Sequence, residues 1–155
     1  MMKNIFKYAC FLTVIIFILS TLSFSFASSK RISWYTYKQG IELNKKEGKK
    51  ILLYFYADWC TYCKKMEKET FNDYSVASYI NDNFIPIKVN SDREVKIALD
   101  FGVKGLPSTW FIAEDGERIS NLPGYMPPKR FLNILKYINT DSFKEMAFRK
   151  FVGNI

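Results

Sequence analysis

Two cysteines separated by two residues, Cys60 and Cys63, stand in the stretch ADWCTYCKKMEKETF that runs from position 57 to 71. Thiols at that spacing can clip a metal, attach a haem, lock a short loop or carry out disulfide exchange. A structural zinc site needs about four ligands, and the chain has no histidine and no second pair of this kind. A c-type haem site wants histidine directly after the second cysteine, where this sequence has Lys64. A purely structural bridge stays open, although closing so short a gap restrains little of the unfolded chain. Exchange is the reading these residues favour: one thiolate attacks a foreign disulfide, and a second thiol must then release the mixed intermediate.

The surrounding elements have to present the pair. ILLYFY (51–56) is an unbroken apolar run rich in aromatics, which predicts a strand buried on both faces. A helical run starts at Cys60, with Met66 on its apolar side and lysines outside. Cys60 therefore falls near a helix N-terminus, where unpaired N–H groups and the macrodipole favour a thiolate. On this reading Cys60 attacks and Cys63, the more buried thiol, resolves. Upstream, Ser33 as a cap and Trp34, Tyr37 and Ile41 at helical spacing predict an amphipathic helix that ends in NKKEG. Downstream, DYSVASYIND and REVKIALDFGV read as helices on either side of the strand FIPIKVN, whose Pro86 favours a sheet edge. STWFIA and ERIS flank EDG as a hairpin, and PPKRFLNILKYI is a helix with Phe131, Ile134, Leu135 and Ile138 on one face. DSFKEMAFRKF is expected to add a short C-terminal helix, with Phe143, Met146 and Phe151 against the body. Alternating strands and helices that close in a hairpin and a helix predict an α/β fold, a small mixed sheet with helices on both faces.

The chain has 155 residues, 48% hydrophobic and 17% aromatic, which is one domain with ample core material. Lys3 and Lys7 lead into an uncharged apolar run over 8–27, followed by small residues such as Ala27. Residues 1–27 read as a secretory signal, or as an uncleaved anchor over 8–27, since about 20 apolar residues span a bilayer. Either reading makes 28–155 an exported domain, with the periplasm as the expected location, where disulfides can form. Cys10 falls within the apolar run and leaves with a cleaved signal. The formal charge is +8, yet the lysines are interspersed with acidic residues and no nucleic-acid motif accompanies them. No nucleic-acid partner is expected, and a monomer is.

YADWCTYCK, GVKGLPS some forty residues later, and PGYMPPKRFLNIL together resemble the thioredoxin superfamily across nearly the whole of 28–155. YADWCTYCKKMEKETFNDYSV is similar to the C-terminal domain of the transmembrane thiol-disulfide interchange reductase. The tail from Leu122 resembles periplasmic thioredoxin-related proteins of sulfur-oxidation systems. The resemblance implies a thioredoxin fold with an extra C-terminal helical segment, and a protein that reduces or exchanges disulfides of exported clients. It implies no cofactor beyond the Cys60–Cys63 couple and no metal. A membrane thiol reductase is expected as electron donor, because exported thiols lack the cytosolic reductant pool and the chain has no nicotinamide or flavin motif. The alternatives are a thiol oxidase or isomerase, and a binding module with a passive disulfide.

The same resemblance assigns the neighbours. Trp59 corresponds to the aromatic before the active cysteine and Pro107 to the family's cis-proline, which would lie beside Cys60 and expose the Leu106 backbone to a substrate strand. Trp59 also reads as an ordinary core tryptophan, and Pro107 as a turn proline. Tyr62, between the cysteines, would gate the sulfurs or stack on a client. Where thioredoxins bury an aspartate six residues before the first cysteine, this chain has Tyr54. Glu67, one turn beyond Cys63, is then the first candidate to move the thiol proton and Asp58 the second, while Lys88 matches the family's lysine in the next strand. Glu67, Asp58 and Lys88 read equally as solvated surface charge. Thr61 and Tyr62 include no histidine of the kind that stabilises the reduced form of strongly oxidising members, so a reducing direction is expected.

Overall fold

The computed structural model describes residues 31–154, so the signal or anchor expected over 1–27 lies outside the described residues. Among those described, no helix is long and apolar enough to cross a membrane. The elements follow in the order α1 (Tyr37–Glu47), β1 (Ile51–Tyr56), α2 (Thr61–Met66), α3 (Tyr74–Asn83), β2 (Ile85–Asn90), α4 (Val95–Asp100), β3 (Ser108–Ile112), β4 (Arg118–Pro123), α5 (Pro128–Asn139) and α6 (Phe148–Gly153). A π-helical turn, Glu67–Phe71, prolongs α2, and a 3-10 turn, Ser142–Lys144, precedes α6.

The sheet runs β2-β1-β3-β4, with β1 parallel to β2 and the β1–β3 and β3–β4 pairs antiparallel. This is the small mixed sheet that the pattern predicts, in the thioredoxin arrangement that the resemblance implies. The central position of β1 explains its unbroken apolar composition, because both of its faces are covered. Leu52 and Tyr54 enter one core with Met66, Phe71, Ile80, Phe131 and Leu135, under α2, α3 and α5. Ile51, Leu53 and Phe55 enter the other with Ile87, Ala98 and Phe101, under α1 and α4. Full burial of one such side chain contributes on the order of 2 kcal/mol.

Pro86 does lie on the edge strand. Its missing N–H costs no ladder bond there, and its carbonyl accepts from Tyr35 N–H at 2.9 Å while Lys88 N–H donates to the Tyr35 carbonyl at 3.1 Å. That bridge corrects the expected start of the first helix. Residues 33–36 are not helical, and the N-cap is Thr36, whose hydroxyl accepts from Gln39 N–H while the Gln39 side chain reaches back to Thr36 N–H. Ser33 N–H instead bonds the Asn81 side chain at 3.0 Å. A reciprocal capping box outcompetes a lone serine because it satisfies two orphan donors. Gly40 is buried in α1, and a Cβ there would overlap the Ile87 side chain, so glycine lets this helix lie close on β2.

The hairpin forms as expected, turning at Gly116 (φ +91°). The C-terminal segment differs in detail: it is the 3-10 turn and α6 rather than one helix, and Phe143, Phe148 and Phe151 gather around the Tyr137 ring at 5.3 to 6.4 Å.

Candidate active site

β1 ends at Tyr56, the chain turns through 57–59, and Cys60 becomes the N-cap of α2. Cys60 Sγ accepts the Cys63 backbone N–H at 3.1 Å, the place a capping oxygen would take. Cys60 and Cys63 are joined in a disulfide with their Cα atoms 5.2 Å apart. Both are buried, Cys60 keeping 4% of its surface and Cys63 1%, so the small accessible edge belongs mostly to Cys60.

Trp59 and Tyr62 flank the disulfide as exposed aromatics, 69% and 61% accessible. For Trp59 that excludes a core role. Its indole N–H donates to Asp92 Oδ2 at 2.9 Å, which holds the ring while leaving it open to solvent. Asp58, also exposed, pairs with Arg93 at 2.9 Å. The loop after β2 thus grips the loop before Cys60 twice. Asp92 and Arg93 were not legible as site residues, because these contacts link positions 33 and 35 apart in sequence and carry no local signature.

The Leu106–Pro107 peptide bond is cis. Pro107 is buried, its carbonyl accepts the Gly124 N–H at 2.7 Å, and Leu106 packs against both cores. Tyr125, next to that glycine, donates its hydroxyl to Glu69 Oε2 at 2.6 Å and lies under the Lys65 ammonium, 4.6 Å from the ring centre. Helix α2 and the Pro107 loop are joined through this contact.

Beneath α2, Tyr54 is fully buried and its hydroxyl points at the Cys63 carbonyl, 3.4 Å away. Its ring stacks parallel to Tyr56 and edge-on to Phe71. Burial, with smaller contributions from Glu67 and Tyr56, pushes the Tyr54 hydroxyl far above the ordinary phenol range. Tyr54 is therefore a permanent hydrogen-bond donor at the site where the resembling family buries a carboxylate, and it has no lone proton-accepting role. Lys88 neighbours Tyr54 in the β1–β2 register, lies 4.2 Å from the Tyr56 ring centre, and pairs with Glu67 Oε1 at 3.0 Å. The structure brings Tyr54, Glu67 and Lys88 together on the underside of α2 and sets Asp58 apart with Arg93. Among the described residues, no group of three or more histidine, cysteine, aspartate or glutamate side chains is placed to hold a metal ion.

The sequence profile of the thioredoxin-like domain matches residues 37–139. The thiol:disulfide interchange protein DsbD of Photorhabdus laumondii is 34% identical over 101 residues, 62% of this chain and 18% of that protein. DsbD of Actinobacillus pleuropneumoniae is 33% identical over 102 residues, 63% and 18% respectively. The chain thus spans about a fifth of the length of these curated relatives. Among solved structures, a thioredoxin from Thermus thermophilus superposes with a TM-score of 0.64 at 26% identity, covering 69% of this chain and 86% of that one. The oxidised C-terminal domain of Neisseria meningitidis DsbD superposes with a TM-score of 0.55 at 23% identity, over 69% of this chain and 99% of that domain, a likeness of fold.

Proposed function

This chain belongs to the thioredoxin-like family, and from that premise we propose that it is an exported thiol-disulfide oxidoreductase that reduces or exchanges disulfides in other exported proteins. The observation that carries the reading is the Cys60–Cys63 disulfide at the start of α2, with the Cys60 sulfur already accepting a backbone N–H. In the reduced protein that N–H would stabilise a thiolate at Cys60. The Cys60 thiolate attacks one sulfur of a client disulfide, forming a mixed disulfide and expelling one client thiolate, which takes up a proton. Cys63 loses its proton and attacks Cys60 Sγ, the Cys60–client bond breaks, and the second client thiol leaves. Two electrons pass to the client and the pair returns to the observed disulfide. A membrane thiol reductase then supplies the next two.

Glu67 is the group that takes the Cys63 proton in this scheme, because it follows Cys63 by one turn and acts on Tyr54, which keeps its own proton, whereas Asp58, on the exposed loop before Cys60, lies with Arg93. Lys88 positions Glu67. Trp59 and Tyr62 offer aromatic faces to the client, and the Leu106–Pro107 segment is read, from the resemblance and its cis bond, as the backbone that pairs with a client strand. The inner dipeptide Thr61-Tyr62, without histidine, supports the reducing direction. Export rests on the reading of 1–27, with the periplasm as the site of action.

Two measurements test this. A Cys63→Ser variant is expected to accumulate mixed disulfides with exported proteins while Cys60→Ser accumulates none. Equilibration with thiol buffers is expected to give a thioredoxin-like potential of roughly −270 mV. A value near −120 mV would reverse the direction, and equal behaviour of the two serine variants would remove the exchange reading.

A further inference from the structure

The segments around the disulfide carry an excess of ammonium groups. Lys64 and Lys68 lie one and two helical turns beyond Cys60 and project from the outer side of α2, both exposed. Lys104 is exposed two residues before Leu106. Among the described residues, none of these three makes an ion pair with a carboxylate. Lys65, over the Tyr125 ring, is a fourth cation on the same rim.

The carboxylates of this region are engaged differently. Asp58 is paired with Arg93 and Glu67 with Lys88, so neither contributes a net charge. Asp92 is held by the Trp59 indole and Glu69 by the Tyr125 hydroxyl, both against the protein's own side chains. Asp92 and Glu69 keep their charge on these neutral donors, so the four lysine ammonium groups stand against two carboxylates that no cation among the described residues neutralises. Tyr62, exposed, stands two residues before Lys64 at the start of α2, and Trp59, also exposed, precedes Cys60.

Resting on the exchange reading above, we propose that the site selects protein disulfides flanked by acidic residues. Aromatic faces supply the contact area next to the sulfurs, and the lysine rim steers and aligns a carboxylate-bearing client segment. The same rim disfavours a lysine-rich client, because like charges would meet before the sulfurs do.

The test uses the reduced protein and two peptides of identical loop length, each with one disulfide, flanked by aspartate and glutamate in one and by lysine in the other. Each initial rate is divided by that peptide's rate with dithiothreitol, which removes the intrinsic reactivity of the disulfide. At about 20 mM salt the acidic peptide is expected to react on the order of tenfold faster. At about 300 mM salt, where the screening length falls below roughly 8 Å, the preference should shrink to about twofold. Lys64→Glu with Lys68→Glu should abolish or invert it, and Lys104→Glu alone should halve it. Equal normalised rates at low salt, or a faster basic peptide, would overturn the selectivity and leave exchange intact. Reduction of neither peptide by a protein whose pair is reduced would overturn the exchange reading itself.

Discussion

Replacing Tyr54 by phenylalanine should have almost no effect at neutral pH and should make the protein more resistant to alkali. The hydroxyl lost is buried and reaches the Cys63 carbonyl over a long 3.4 Å contact. That carbonyl also accepts the Glu67 backbone N–H, so it stays satisfied after the substitution. The cost therefore belongs at the low end of the hydrogen-bond range, about 0.5 kcal/mol, or about 2 °C in Tm. The pH dependence has a definite sign. The folded hydroxyl is held well above the ordinary value of 10.0, so its protonated form is favoured in the fold. Its contribution is complete below pH 10 and falls away above it, as the unfolded chain ionises and the folded one does not. The loss approaches about 1.4 kcal/mol for each pH unit. Phenylalanine has no such loss, and every other titration is common to both proteins. Their stability curves should cross near pH 10, with the variant ahead by about 1 kcal/mol at pH 11. Urea unfolding followed by tryptophan fluorescence between pH 7 and 11 reads this directly. Exchange rates between pH 6 and 9 should stay within about twofold of wild type, whereas Glu67→Gln should slow the resolving step. Parallel stability curves through pH 11, or a tenfold rate loss in Tyr54→Phe, would refute the assignment of Tyr54 as a buried, permanently protonated donor.

Two further substitutions probe the frame that holds the site. Gly40→Ala should destabilise by about 1 kcal/mol in urea titration, because overpacking against Ile87 costs roughly 1–3 kcal/mol and the gain in helix propensity returns only about 1; a stabilised variant would mean that Ile87 yields freely. Lys50, only 4% accessible, bonds Glu114 at 2.7 Å and Asp141 at 3.1 Å, tying the start of β1 to the β3–β4 turn and the end of α5. Burial pulls its ammonium down, but the bonds to Glu114 and Asp141 outweigh burial and hold it above the ordinary lysine range. Burial likewise raises Asp141, and its bonds from Lys50 and Lys144 outweigh that and keep it low. The cluster's contribution should therefore be full between about pH 4 and 10, fading in acid as Asp141 protonates and in alkali as Lys50 loses its proton. Lys50→Met should cost about 1–3 kcal/mol on that plateau, and an equal cost at pH 2.5 would show that the loss is packing rather than charge.

How much of this was readable beforehand depended on the range of the interaction. The strand 51–56, the helix behind Cys60, the edge placement of Pro86 and the apolar stripe of α5 are written in local patterns, and the structure follows them. Cys60 at a helix start follows from the strand-turn-helix pattern, whereas the cis bond at Pro107 is implied only by the family resemblance. Ser33 and Thr36 are both good caps by residue type, and only the reciprocal bond to Gln39, together with the Tyr35 bridge to β2, decides for Thr36. The π-helical turn at Glu67–Phe71 leaves no mark in residue type. Trp59 with Asp92, and Asp58 with Arg93, meet only because β1 and β2 end side by side, so no window along the chain contains both partners.

The small contact between Tyr35 and β2 has a colloidal consequence. An open sheet offers unpaired backbone at its outer strands, and another chain can zip onto it. Here one margin is occupied by the Tyr35 backbone on either side of Ile87, and the other, β4, ends in a second proline, Pro123, with mostly polar, exposed residues before it. A protein proposed to meet other chains through a single pair of sulfurs is thereby discouraged from meeting them through its strands, and copies of it can crowd together without knitting into fibres.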